Sequence, residues 1–206
     1  MILVENGYYH IYNLGVEKRR IFEESQDYQK FLSYLNIYLT PVDTLRQENP
    51  LLRTNLINGN LSEQIEMIAF CLMPNHFHLL LKQKNKDVVT KLMRQINTAY
   101  SMYFNKKYDR IGPLFQGIYK ACTVDNKDYL LYLSRYIHQK PRQRGISLVD
   151  FQWSSFSSYL GNNKHPWLKP KEVLEHHNAT NPNLTYKKFV EESDNIPSEI
   201  QSLTLD

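Results

Sequence analysis

The chain has 206 residues, of which 42% are apolar and 13% aromatic, so its size and composition suit one folded domain with an appendage and exclude a disordered chain. No apolar run approaches the ~20 residues of a membrane helix, and the polar N-terminal segment does not fit a signal peptide. The two cysteines, Cys71 and Cys122, lie in apolar stretches and indicate no disulfide framework. We therefore expect a protein of the reducing cytoplasm.

The net charge of +4 is unevenly distributed along the chain. Residues 1–81 and 145–206 each carry a balance of −3, whereas residues 82–144 carry 14 Lys and Arg against 4 Asp and Glu. The same central block contains the aromatic residues Tyr100, Tyr103, Phe104, Tyr108, Phe115, Tyr119 and Tyr136. Basic charge interleaved with aromatics is typical of a nucleic-acid-binding surface. Two ordinary helices with solvated basic faces would have the same composition.

A strand followed by a helix is predicted in the first part of the chain. Residues 7–13, GYYHIYN, have the aromatic and β-branched content of a strand. Ser25 and Asp27 offer N-cap chemistry for a helix that ends before Pro41. The apolar residues of this helix recur at helical spacing: Tyr28, Phe31, Leu32, Leu35 and Leu39. Residues 41–63 show no sustained period and predict a long loop excursion.

The next segment predicts an antiparallel hairpin. Residues 65–72, IEMIAFCL, read as a buried strand, and residues 76–82, HFHLLLK, read as a second strand. Residues 73–75, Met-Pro-Asn, form the turn between them.

The remaining elements complete the order β-α-β-β-α-β with one further helix. A helix is expected over residues 87–105, a strand over 114–124, and a last helix that Asp125 or Asn126 caps and Pro141 ends. This order predicts an α+β fold of the ferredoxin-like or RRM-like split βαβ type, with a central antiparallel sheet and helices against one face.

The end of the chain carries weaker signals. We expect residues 1–145 to form the main domain and residues 146–206 to form a C-terminal extension docked on it. Trp153 and Trp167 imply packed structure in this extension. A short final helix is expected around Tyr186, Phe189 and Val190.

His76 and His78 are candidate metal ligands. Because they are two residues apart on a predicted strand, both imidazoles emerge on one face, while Phe77 points toward the core. Two imidazoles can bind one ion, but a chain with seven histidines often shows such spacing through chance or cross-strand packing. The pattern lacks the Glu and His of a zinc protease helix and the Cys-x-x-Cys of a zinc deaminase.

Tyr136 lies on the last predicted helix and shares a face with Tyr129 and Leu133, so a core aromatic is its ordinary interpretation. A tyrosine can also attack a phosphodiester when a cation neutralises the phosphate. The order of elements would let this helix lie across the sheet edge that bears the histidines. Lys140, four residues later, would share the face of Tyr136.

Five segments, in order, resemble the REP-associated tyrosine transposases and their single-tyrosine insertion-sequence relatives, which belong to the HUH endonucleases. The His-hydrophobic-His strand corresponds to AFCLMPNHFHLLL (69–81), and the tyrosine helix corresponds to DYLLYLSRYIHQKP (128–141). The other three segments are YYHIYNLGVEKRRIF (8–22), GPLFQGIYKA (112–121) and FQWSSFSSY (151–159). The resemblance covers about residues 8–160.

This resemblance implies a transposase-like enzyme that cuts and rejoins single-stranded DNA at hairpins, as a monomer or a homodimer. His76 and His78 would hold Mg or Mn, and Tyr136 would attack the phosphodiester to give a 5′-phosphotyrosine and a free 3′-hydroxyl. Candidate contacts to the DNA backbone are Lys120, Lys127, Arg135, Arg142 and Arg144.

The chain departs from the family's pattern at three positions. Lys140 stands where the family usually has an asparagine or glutamine that completes the metal site, and a protonated ammonium has no lone pair to donate. Water or Gln139 could fill that position, Lys140 could pair with the phosphate, or the site could cut weakly. Leu14 and Ile118 replace arginines that are common in the family.

Two other functions are consistent with the sequence. A catalytically silent descendant would keep the fold and bind hairpin DNA or RNA through its basic and aromatic surface. A metal-dependent hydrolase or RNA phosphodiesterase would use the histidines without Tyr136, but the sequence shows no third histidine or carboxylate at a suitable spacing.

Overall fold

Four antiparallel strands form the central sheet of this protein, in the order β2-β3-β1-β4. The computed structural model describes residues 3–52, 54–162 and 165–192. The strands are β1 (Tyr8–Leu14), β2 (Ile65–Met73), β3 (His76–Gln83) and β4 (Lys120–Val124). This order is that of a split βαβ sheet, and the predicted α+β fold class is confirmed.

The β2–β3 hairpin forms as predicted, with a two-residue turn at Pro74 and Asn75. Alternation along β3 places His76 and His78 on one face and Phe77 on the other. The Phe77 side chain is fully buried, so the strand presents an apolar residue to one layer of helices and polar residues to the opposite face.

Helices α1 (Ser25–Leu39) and α4 (Val88–Lys107) cover the Phe77 face of the sheet. The ring of Phe31 on α1 lies 5.2 Å from that of Phe77 and also 5.2 Å from that of Tyr100 on α4. Apolar residues at helical spacing therefore meet the apolar side of the sheet, as the periodicity predicts.

A buried carboxylate joins these two helices. Asp27 is fully buried and accepts hydrogen bonds from Tyr103 at 2.9 Å, Lys107 at 2.7 Å and Tyr108 at 2.7 Å. It also caps the start of α1 through two backbone amides. Burial by itself would raise the pKa of Asp27, but the hydrogen bonds from Lys107 and Tyr108 more than offset this effect and hold the pKa below its ordinary value.

Helix α5 (Lys127–Gln139) packs on the opposite face, against β2 and β3. Asn126 caps it, since its side chain accepts a hydrogen bond from the Tyr129 amide at 2.8 Å. The helix ends in a 3₁₀ turn, Lys140–Arg144, that contains Pro141. Helix α5 thus lies over the face that bears the histidines and not across the sheet edge as expected, because its apolar residues need the sheet face for burial. Helices therefore cover both faces of the sheet, and not one face as predicted.

The residues after Gly145 pack on α5 and on the outer strand β2. They include the helices α6 (Phe156–Tyr159), α7 (Lys171–Thr180) and α8 (Tyr186–Glu191), and α8 falls where the final helix is predicted. Trp167 is 2% exposed, and the ring of Trp153 stacks on Tyr28 at 4.7 Å. Residues 163–164 and 193–206 of the predicted extension lie outside the described residues.

A buried polar network holds this segment to α5. His138 Nδ1 lies 2.9 Å from the Tyr186 hydroxyl, and His138 Nε2 lies 2.7 Å from Ser155 Oγ. Ser155 also bonds the backbone of Phe70 on β2. One histidine therefore connects the C-terminal segment, α5 and the sheet.

Two stretches differ from the sequence-based expectations. The segment 41–63, expected to be a loop, contains the short helices α2 (Val42–Glu48) and α3 (Thr54–Ile57), which are too short to show a helical period. Strand β4 was expected to begin at residue 114, but it begins six residues later, at Lys120. Gly117 has a φ of 72°, which breaks the extended backbone before that point. Among the described residues, none of the helices is long and apolar enough to cross a membrane.

Candidate functional site

The two histidines of β3 and one tyrosine of α5 meet between the sheet and the helix. The rings of His76 and His78 are nearly perpendicular, with centroids 5.0 Å apart. The Tyr136 ring points its edge at His78, at a centroid distance of 5.8 Å. The alternation of β3 and the position of Tyr136 on α5 therefore bring the three predicted residues together.

His76 is fixed by the turn that precedes it. Its Nδ1 lies 2.8 Å from the Asn75 side-chain oxygen, which also accepts a hydrogen bond from Arg144 at 3.1 Å. Because an amide oxygen only accepts, Nδ1 carries the proton and Nε2 keeps its lone pair. Burial, together with the charges of Lys140 and Arg144, lowers the pKa of His76 to about 4. The imidazole is therefore neutral at pH 7, as a metal-binding histidine must be.

His78 is completely buried. Its Nδ1 lies 2.8 Å from Nε2 of His10 on β1, whereas its own Nε2 has no hydrogen-bond partner among the described residues. Burial, and then the neighbouring His10, His76 and Lys140, hold the pKa of His78 well below its ordinary value. A buried nitrogen without a partner costs free energy unless a ligand engages it.

Lys140 lies at the site, as the helical spacing predicts. Its ammonium nitrogen is 4.0 Å from the centroid of the Tyr136 ring, a cation–π geometry, and the residue is only 2% exposed. Tyr136 is also 2% exposed. Gln139, the other residue considered for the third ligand, turns away, since its side-chain amide donates to the Val190 carbonyl at 2.6 Å. Of Gln139 and Lys140, only Lys140 faces the histidines.

The residues present fit a divalent cation held by two nitrogens. No group of three or more His, Cys, Asp and Glu that could hold a metal occurs in the described part of the chain. His76 and His78 nevertheless offer two neutral imidazoles, and the unpartnered Nε2 of His78 is the kind of atom that a metal would satisfy. The remaining ligands would be water or substrate oxygens, because a protonated Lys140 has no lone pair.

The predicted DNA-contact residues separate into two groups. Lys120, Lys127, Arg142 and Arg144 are exposed. Arg135 is 5% exposed, and its guanidinium lies 4.8 Å from the Tyr132 ring and 4.7 Å from the Phe189 ring. Arg135 thus packs under α8, and its contact with DNA stays a prediction that its burial does not support.

A row of side chains continues from the site across the sheet. Strand register aligns Cys71, His78, Tyr12 and Lys120 on neighbouring strands, so these residues share one face. A cavity of about 100 Å³ opens beside this row. It is lined by Tyr12, Asn13, Leu14, Gln116 and Lys120. Leu14, where the family resemblance predicts an arginine, thus lines the cavity beside the site.

Two residues of the site were not predicted from the sequence. His10 and Asn75 hold the Nδ1 atoms of His78 and His76, respectively. Alternation on β1 could have placed His10 on the same face as Tyr12, but its contact with His78 depends on the pairing of β1 with β3.

The sheet topology and the paired-histidine strand under a tyrosine helix define a protein of the tyrosine transposase class. Residues 3–140 match the family described as "Transposase IS200 like", and the chain belongs to this family. The predicted resemblance is thus confirmed. No curated protein matches the chain.

A solved structure of a REP-associated tyrosine transposase bound to a REP hairpin is similar to this chain. The two share 15% sequence identity, the alignment covers 84% of this chain and 90% of that one, and the TM-score is 0.51. This likeness shows a common fold.

Proposed function

We propose that this protein is an endonuclease and strand-transfer enzyme for single-stranded, hairpin-forming DNA, with Tyr136 as its nucleophile. The observation that carries the proposal is the convergence of Tyr136 with two neutral imidazoles, His76 and His78. Membership of the transposase family supports the reaction class, and the hairpin bound by the similar structure supports the substrate.

In the proposed reaction, the Tyr136 oxygen attacks the scissile phosphorus and loses its proton. The bond from phosphorus to the 3′ oxygen breaks, and that oxygen takes up a proton as a free 3′-hydroxyl. The downstream strand stays attached as a 5′-phosphotyrosine. Rejoining reverses these steps, because an incoming 3′-hydroxyl attacks the phosphotyrosine and releases Tyr136.

The cations of the site would neutralise the phosphate. His76 and His78 would hold Mg or Mn, and a divalent ion supplies Lewis-acid stabilisation of the negative charge on the transferring phosphoryl group. Lys140 adds a second positive charge next to the nucleophile, since its ammonium lies 4.0 Å from the Tyr136 ring. Exposed Lys120, Lys127, Arg142 and Arg144 would contact the DNA backbone without reading its sequence.

The chain would work as one catalytic domain, residues 1–145, carrying residues 146–206 as a docked extension. It would act as a monomer or a homodimer. The buried hydrogen bonds of His138 to Tyr186 and Ser155 support the docking of the described part of that extension.

The test is a denaturing-gel assay with labelled single-stranded hairpin oligonucleotides from the DNA that flanks the gene, with Mn or Mg. Wild type should form a covalent protein–DNA adduct, and Tyr136→Phe should lose it while still shifting the hairpin in a native gel. Tyr132→Phe, on the same helix, is the matched control and should keep the adduct. An adduct that persists in Tyr136→Phe would contradict the proposal, because another side chain would be the nucleophile. Cleavage without any adduct in Tyr136→Phe would instead favour a hydrolase that uses only the histidines.

A silent hairpin-binding module is the second candidate, and Lys140 favours it. A buried ammonium in place of the third ligand adds positive charge to a cation site and contributes no lone pair. Adduct formation by Lys140→Asn but not by wild type would mean that one residue disables the nuclease. Binding without cleavage in every variant would support the module.

A further inference from the structure

His10 contacts one of the two candidate metal ligands directly. We propose that His10 is a positioning residue that holds His78 in the tautomer whose Nε2 lone pair is available to a divalent cation. The proposal rests on the proposed function, because it assigns a role within the same site. His10 lies on β1 and was not among the residues predicted from the sequence.

The geometry joins the two imidazoles closely. Tyr12 pairs with His78 across β1 and β3, and His10 pairs with Leu80, so His10 and His78 are diagonal neighbours on one face. His10 Nε2 and His78 Nδ1 are 2.8 Å apart, and the rings stack with centroids 5.1 Å apart and an angle of 16° between their planes. Both residues are fully buried, so water does not compete for this hydrogen bond.

One proton lies between the two nitrogens, and its position decides what His78 can bind. If His10 donated, Nδ1 of His78 would be the acceptor and its Nε2 would carry a buried N–H with no partner among the described residues. If His78 donates from Nδ1, its Nε2 presents a lone pair instead. Only this second arrangement lets a metal satisfy the buried atom, so the metal site requires His10 to act as the acceptor.

The other candidate ligand, His76, is held in the same tautomer by a different residue, Asn75. Asn75 accepts the Nδ1 proton of His76 and leaves Nε2 free to coordinate. Each ligand of the pair therefore has its own support for the same tautomer. Asn75 belongs to the hairpin turn, whereas His10 comes from the neighbouring strand β1, so correct pairing of β1 with β3 is part of the site.

The tautomer can be measured in the metal-free protein by long-range ¹H–¹⁵N NMR of histidine-labelled samples. We expect wild-type His78 to show the Nδ1–H form, with His78→Gln used to assign the signal. His10→Phe keeps a ring in the stack but removes the acceptor, so His78 should shift toward the Nε2–H form. His10→Gln, whose amide oxygen can accept, should restore the Nδ1–H form. A wild-type His78 in the Nε2–H form, or no change in His10→Phe, would overturn the proposal.

Mn²⁺ affinity gives the second readout, by electron paramagnetic resonance of the free ion. Loss of an outer-shell partner typically lowers metal affinity about 10- to 100-fold, and we expect a loss of this size in His10→Phe and recovery in His10→Gln. His177→Phe is the control, since His177 is equally buried but lies on α7 away from the site, and it should bind like wild type.

These readouts separate the two proposals. Loss of the covalent adduct in Tyr136→Phe tests the nuclease, whereas the tautomer of His78 tests His10 without metal or DNA. Unchanged Mn²⁺ affinity in a folded His10→Phe protein would refute the positioning role even if the wild-type protein cuts DNA.

Discussion

At the scale of single residues, the site places positive charge beside the proposed nucleophile, Tyr136, which is itself buried. Lys140 packs on the Tyr136 ring, and its charge contributes to the lowered pKa values of His76 and His78. In an ordinary two-imidazole site, such a charge would weaken cation binding. Next to a phosphodiester, the same charge would favour the substrate, so in the proposed reaction Lys140 would weaken metal binding and strengthen phosphate binding.

We expect Lys140→Asn to bind Mn²⁺ at least about tenfold more tightly than wild type. Two like charges a few Å apart repel by ~1–4 kcal/mol at effective dielectric constants of 80 to 20, and the amide oxygen of Asn adds a ligand. Calorimetric titration of the metal-free protein measures this, with Lys127→Asn as a control because Lys127 is exposed at the start of α5. Equal or weaker binding by Lys140→Asn would show that Lys140 does not oppose the metal.

At the scale of elements, two of the helix contacts depend on a buried polar residue as well as on apolar packing. Asp27 joins α1 to α4, and His138 joins α5 to the C-terminal segment. Apolar surfaces tolerate small shifts, whereas buried hydrogen bonds require one arrangement to be satisfied. Helix α5 carries both Tyr136 and His138, so the docking of the C-terminal segment also fixes the helix that bears the proposed nucleophile.

Replacing Asp27 by asparagine should lower the free energy of unfolding by roughly 2–4 kcal/mol, because Lys107 and two tyrosine hydroxyls lose a buried charged acceptor. The pKa of Asp27 is lowered in the folded state, so its stabilisation is present above its unfolded pKa and is lost as pH falls through the folded value. Urea titrations at pH 7 and at pH 3 to 4 measure both effects.

The control is Glu23→Gln, because Glu23 is an exposed partner of Arg20. This substitution should change the free energy of unfolding by less than about 0.5 kcal/mol. An equal loss in both variants would contradict the role of Asp27.

Acid should loosen the C-terminal segment through His138. Burial lowers the pKa of His138 to about 3, so the unfolded chain binds a proton that the folded chain excludes between pH 6.5 and about 3. Stability should therefore fall as pH drops through this window, by up to about 1.4 kcal/mol per pH unit from this group. Thermal unfolding of wild type and His138→Gln against pH measures the difference, and the variant should show a shallower decline. Parallel curves would exclude His138 as the source.

At the scale of the whole molecule, the basic block of residues 82–144 is not a single surface. Lys107 is neutralised by Asp27 and Glu24, while Arg135 and Lys140 are buried. Part of the charge seen in the sequence thus serves internal packing and the candidate site. Exposed cations remain near α4, which covers the opposite face of the sheet, and near β4, α5 and the turn after α5. Only the second group lies on the side of the proposed site.

Local periodicity predicts three features of the structure correctly. They are the β2–β3 hairpin, helix α1, and the shared face of Tyr136 and Lys140 at the end of α5. The contact of His10 with His78 could not be predicted, because it depends on the register between strands that are far apart in sequence. The burial of Arg135 could not be predicted for a related reason. Whether its face of α5 is exposed depends on where α8 docks, and no local pattern encodes that position.

The exposed cations should determine how steeply the affinity for hairpin DNA falls as the salt concentration rises. Each phosphate neutralised by Lys or Arg contributes about 0.7 to the slope of log affinity against log salt for single strands. We expect Lys120→Gln to reduce the slope by about this amount, because Lys120 lies in the row that continues from His78 and Tyr12. Lys187→Gln, on α8 and paired with Glu191, is the matched control and should leave the slope unchanged.

Filter-binding titrations measure these slopes. Each variant is made in a Tyr136→Phe background to prevent cleavage. Equal slopes for the two variants would mean that the strand does not cross β4, and would place the DNA path on the other side of the site.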